Sequence, residues 1–143
     1  MQNGTVAPNV EAIVLDLKDS QRRSPLKVEA LSRMRKLRLL IFRNVEFFGV
    51  LKDLSWELQH ISWHRYPFTS LPSSYRPYNL RELILPDSCI TSIWDEKKIP
   101  NSSIMDMLKR FSLLKNMNLS GSKDLIKLPN FEGLPYLERL EIE

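Results

Sequence analysis

Residues 58–63 read LQHISW and residues 80–85 read LRELIL. Leu58, Ile61 and Trp63 in the first, and Leu80, Leu83 and Leu85 in the second, share the spacing L-x-x-L-x-L. The same spacing recurs upstream in LRLLIF (Leu37, Leu40, Phe42) and downstream in LKNMNL (Leu114, Met117, Leu119). Val10, Ile13 and Leu15 begin the series, and Leu137, Leu140 and Ile142 close it. The last two apolar positions of each copy are two residues apart, so they share one face of an extended strand.

The copies start at Val10, Leu37, Leu58, Leu80, Leu114 and Leu137, with gaps of 27, 21, 22, 34 and 23 residues. Leucine-rich repeats run at roughly 20–29 residues, one short strand per turn of a solenoid. The expected fold is therefore an α/β leucine-rich-repeat horseshoe. A short parallel sheet lines its concave face and irregular connections return on the convex side. Strands are expected near 10–17, 37–43, 58–64, 80–86, 114–120 and 137–142 of a single domain over 10–143, with 1–9 as a flexible tail. The long gap implies an insertion near 97–110, at KKIPNSSIMD, followed by a short helix with Met107, Leu108, Phe111 and Leu114 on one side. A second helix is expected over 24–38, with Ser24 as N-cap, Pro25 at its first position and Leu26, Ala30, Leu31 and Met34 on its apolar face. Leu71-Pro72 and Leu128-Pro129 mark irregular returns, where proline suits a connection better than a long helix.

Apolar residues make up 43% and charged residues 27%, a globular balance. No apolar run approaches the ~18 residues of a membrane span, and MQNGTVAPNV lacks the basic and apolar regions of a secretory signal. The single cysteine, Cys89, excludes an internal disulfide, fits a reducing compartment and is expected to be a buried or partly buried packing residue. The net charge is +4, with the excess in the first half and densest over Arg33, Arg35, Lys36 and Arg38. That stretch suits either a solvated face or an anionic partner. It lacks the interleaved aromatics of single-strand nucleic-acid binders.

The strand rule also assigns faces. Inward positions, Trp63 among them, pack the core, and Trp94 closes its repeat. Three outward columns follow: Ala12, Leu39, His60, Glu82, Asn116, Arg139; then Val14, Ile41, Ser62, Ile84, Asn118, Glu141; then Asp16, Arg43, His64, Pro86, Ser120, Glu143. The early strands are partly apolar on this face. Leu39, Ile41, Arg43, His60, Ser62, His64, Glu82 and Ile84 make the candidate protein-contact surface, joined by Val14. His60 and His64 share the face, but four residues of extended chain hold their Cα atoms about 13 Å apart, too far for one ion. No catalytic, metal or cofactor site is expected, and the chain reads as a non-enzyme.

The stretch LQHISWHRYPFTSLPSSYRPYNLRELILPDSCITSIWDEKK is more specific than the spacing. It resembles the leucine-rich-repeat region of plant disease-resistance proteins of the TIR, nucleotide-binding, leucine-rich-repeat class. The resemblance is carried by Leu54, Glu57, Leu58, Trp63, His64, Tyr66, Pro67, Leu71, Pro72, Ser73, Pro77, Leu80, Glu82, Leu83, Ser88, Ile90 and Trp94, and it extends from about Val10 to the end. It departs from the family at FFGVL (Phe47 to Leu51) and at the insertion. No G-x-x-x-x-G-K-[ST] loop occurs, so the chain carries no nucleotide switch of its own. It reads as a fragment or truncated product, since it stops on the last strand. The resemblance implies a recognition or regulatory segment of a cytoplasmic (alternatively nuclear) plant immune receptor. Its partner would be a pathogen effector, a guarded host protein or the nucleotide-binding domain that it holds inactive. Two alternatives stay open: a truncated product that binds a related receptor without signalling, and a basic module for membranes or nucleic acid.

Overall fold

Parallel strands in chain order dominate the computed structural model, which describes residues 9–17, 24–98, 109–128 and 131–143. Strand β1 is Ala12–Asp16; β2, Leu26–Lys27, and β4, Phe47–Phe48, are short accessory strands. The main sheet continues through β3 (Leu39–Arg43), β5 (His60–Trp63), β6 (Glu82–Ile84), β7 (Asn116–Asn118) and β8 (Arg139–Glu141). Its order is β1-β3-β5-β6-β7-β8, every neighbour parallel. Parallel neighbours require a crossover of a dozen or more residues. Each repeat supplies one, and the product is a leucine-rich-repeat solenoid of about five turns.

The register follows the repeat frame. Ala12 lies against Leu39, Leu39 against His60, His60 against Glu82, Glu82 against Asn116 and Asn116 against Arg139. Two residues on, Val14, Ile41, Ser62, Ile84, Asn118 and Glu141 form a second column. Between these columns the inward side chains stack into one core. Leu37, Leu40, Phe42, Leu58, Ile61, Trp63, Leu80, Leu83, Leu85, Leu114, Met117 and Leu119 are all buried. The end strands differ. Val10, Ile13, Leu15, Leu137 and Leu140 are only partly buried, because each terminal repeat among the described residues has a neighbour on one side. Stacking on both sides is what completes burial in a solenoid.

The helix expected over 24–38 does not form. Leu26 instead pairs with Phe47 and Lys27 with Phe48, and a six-residue 3-10 turn follows at Val28–Arg33. Lys27 stands at its N-cap and makes no side-chain cap. The buried residues are Val28 and Leu31, three apart, which suits the 3-10 period, while Leu26 is exposed. The sequence FFGVL is thereby explained: Phe47 packs against Phe42 at 4.7 Å and Trp63 at 5.0 Å while its backbone pairs with β2. Cys89 also departs from expectation. It is exposed, and the buried neighbour is Ser88, whose Oγ lies 2.7 Å from that of Ser122. Ser88 and Ser122 occupy equivalent places in consecutive repeats, each eight residues after the repeat start. Residues 99–108, which contain most of the expected insertion and short helix, lie outside the described residues, as do 1–8 of the expected tail. Beyond them Phe111 and Leu114 are buried. No helix among the described residues is long and apolar enough to cross a membrane.

One backbone feature recurs at every interior repeat. Asn44, Arg65, Asp87 and Gly121 all have positive φ, at 59°, 62°, 55° and 74°. Each lies seven residues after its repeat start. There the chain leaves the strand and turns towards the core. Arg65 N–H reaches Pro86 O at 3.0 Å, Asp87 N–H reaches Ser120 O at 2.7 Å and Gly121 N–H reaches Glu143 O at 2.6 Å. The left-handed turn thus extends the ladder past the strands. An L-residue with a Cβ pays about 1–2 kcal/mol in this conformation. At Gly121 a Cβ would also collide with the Asp87 carboxylate. Gly121→Ala is therefore expected to destabilise by roughly 2 kcal/mol or more. Urea unfolding measures this, and an unchanged midpoint would contradict it.

Candidate protein-contact face

The outer face of the main sheet divides into an apolar and a polar half. Towards β1 and β3 it presents Val14, 58% exposed, with Leu39 and Ile41 half-buried. Ile84 continues the second column on β6, separated from Ile41 by the small Ser62. Parallel neighbours are about 4.8 Å apart, so Val14 to Ile84 spans three strand spacings, near 15 Å. Leu39, Ile41, His60, Ser62, His64, Glu82 and Ile84 are all half-buried, and Arg43 is exposed. These are the candidate contact residues, and the register sets them on one surface. Half-burial here comes from side-by-side packing along the columns.

The polar half is bonded to itself. His60 Nδ1 lies 2.9 Å from Glu82 Oε1, and Asn116 Nδ2 donates to Glu82 Oε2 at 2.9 Å. The Asn116 amide and then His60 hold the Glu82 carboxyl below its ordinary range, against a smaller opposing effect of desolvation. Asn118 Nδ2 donates to Glu141 Oε2 at 2.9 Å, and Arg139 Nε donates to Glu141 Oε1 at 2.8 Å. In the third column His64 Nε2 lies 2.9 Å from Asp87 Oδ2, and Arg43 pairs with Asp16 at 3.8 Å. The two histidines thus have separate carboxylate partners. No cluster of three or more metal-ligating side chains exists among the described residues.

Charge on this face is consequently spent internally, and the unfilled contact capacity is apolar. The basic stretch is similarly occupied: Arg35 pairs with Asp53 at 3.4 Å, Arg38 with Glu11 at 3.8 Å, and Lys36 donates to Asn9 at 3.3 Å. Sequence reasoning assembled the columns but missed their bonding. The signal was present, since Glu82 and Asn116 occupy one column, as do Asn118 and Glu141. Asp87 was missed because its approach to His64 depends on the left-handed turn.

Comparison with known proteins places this geometry. Disease resistance protein LAZ5 of Arabidopsis thaliana is 31% identical over the whole of this chain, which covers 12% of that relative. Disease resistance protein RPS4B of the same plant is 31% identical over 94% of the chain, again 12% of the relative. Disease resistance protein RRS1 is 30% identical over 86% of the chain and 9% of its own length. The chain therefore spans about a tenth of the curated relatives it matches. No protein-family model matches it, and no solved structure does.

Proposed function

Because the chain is homologous to the leucine-rich-repeat region of plant disease-resistance proteins of the TIR, nucleotide-binding class, we propose that it binds protein through the apolar half of its outer sheet face. The observation that carries this reading is the contrast between exposed Val14 with half-buried Leu39, Ile41 and Ile84, and a polar half already bonded to itself. An apolar centre with a polar rim is the usual anatomy of a protein contact. In this reading the partner is the receptor's own nucleotide-binding domain, restrained in its inactive state, or a pathogen effector or guarded host protein. The role is recognition and regulation, with no chemistry at the site.

The double substitution Ile41→Glu with Ile84→Glu tests it. Neither side chain belongs to the buried core, so circular dichroism should match the parent. Pull-down by the nucleotide-binding domain of a related receptor should be lost, since two carboxylates would be buried without partners. Binding should also vary little with salt, because the face offers few unpaired charges. A folded double variant that still binds would move the site elsewhere, and steep salt dependence would contradict an apolar contact.

A further inference from the structure

On the flank of the solenoid, away from the main sheet, a second ladder runs in two pieces. Strand β2 pairs with β4 in the first two repeats, and Leu71 bridges to Trp94 in the third and fourth. Between the second and third repeats no bridge joins the flank among the described residues. A groove of about 510 Å³ opens at that break, between Val50–Lys52 on one side and the chain from Pro67 to Ser73 on the other.

We propose that this groove binds an extended acidic peptide segment. Its apolar surface comes from buried Leu71, half-buried Phe68 and exposed Val50. Its charge comes from Lys52 and Lys98, and no acidic residue lines it among the described residues. Neither lysine forms an ion pair with a carboxylate among the described residues, and Glu29 feels Lys52 only through space. This sets the groove apart from the basic stretch, whose charges are answered. An extended segment would place side chains against Phe68 and Leu71 and set carboxylates near the lysines. A simple anion would fill only a fraction of the volume and leave the apolar surface uncovered.

Fluorescence polarisation with a fluorescein-labelled peptide ELEVDE and its amide counterpart QLQVNQ tests the proposal on the full chain. ELEVDE is expected to bind saturably, and QLQVNQ about tenfold or more weaker. Lys52→Glu with Lys98→Glu should reduce ELEVDE binding by a similar factor. Both side chains are exposed, so the fold should be retained by circular dichroism. Lys115→Glu with Lys123→Glu, also exposed but outside the groove, should leave binding unchanged. Absence of saturable binding overturns the proposal. So does equal binding of the two peptides, equal loss in both lysine pairs, or capture by phosphatidylserine vesicles without peptide binding.

Discussion

Trp63→Ala is expected to destabilise the chain by about 3–5 kcal/mol, the usual cost of emptying a buried aromatic site. Trp63 is fully buried at the third inward position of its repeat. Its ring lies 4.9 Å from Phe42, 5.0 Å from Phe47, 5.0 Å from Tyr66 and 6.2 Å from Phe68. Those partners come from the second repeat, its flank strand and the third repeat's own return. The residue therefore ties the main sheet to the flank as well as one repeat to the next. Its removal leaves a cavity bordered by rings fixed on separate strands, which cannot easily collapse together. Trp63→Phe separates ring packing from the indole N–H. Nε1 is buried with no hydrogen-bond partner among the described residues, so phenylalanine loses volume but removes a buried, unsatisfied donor. It should cost much less than alanine. Chemical denaturation reads both, and an alanine variant with the parent's midpoint would show that the aromatic cluster does not hold the repeats together.

Trp63 also shows what the sequence made legible. Its place in L-x-x-L-x-L fixed its direction, because strand alternation and stacked repeats leave an inward position nowhere else to go. The same logic set the whole outer face, down to the pairing of Ile41 with Ser62 and of Ser62 with Ile84. The flank was not legible. A stretch such as SPLKVEALSRMRKLR has local helix signals, but its path is set by the need to return the chain to the next strand. Pairing with Phe47 and Phe48, and the burial of Val28 and Leu31, outweighed propensity. The left-handed residue after each strand was legible only in part, since Asn44, Asp87 and Gly121 are types that enter this conformation readily and Arg65 is not. Cys89 was misread because the spacing rule ends before it. Once the turn at Asp87 is in place, Ser88 points inward and its neighbour outward.

Arg110 carries the second large effect, and composition gave it no distinction from the surface bases. It is 1% exposed. Its Nη1 donates to Ser73 O at 2.9 Å, and its guanidinium carbon lies 4.6 Å from the centre of the Trp94 ring. Trp94 in turn lies 5.6 Å from Phe111. A chain segment just ahead of β7 is thus fastened to the return of the third repeat and to the end of the fourth. A charge-assisted bond is worth about 1.5–3 kcal/mol, and a desolvated cation over an indole adds about 1–2. Arg110→Ala also loses the packing of the long stem, so a loss of about 3–4 kcal/mol is expected. Two further variants distinguish the sources. Arg110→Lys should recover little, because an ammonium cannot both stack flat on Trp94 and reach Ser73 O in the same geometry. Arg110→Met should recover only the share owed to the packed stem, because it restores neither the bond to Ser73 O nor the cation over Trp94. Urea midpoints for the three variants decide between them. Full recovery by lysine would mean that charge alone matters at this site. A methionine variant as weak as alanine would mean that the directed bond to Ser73, and not the filled volume, holds these repeats together.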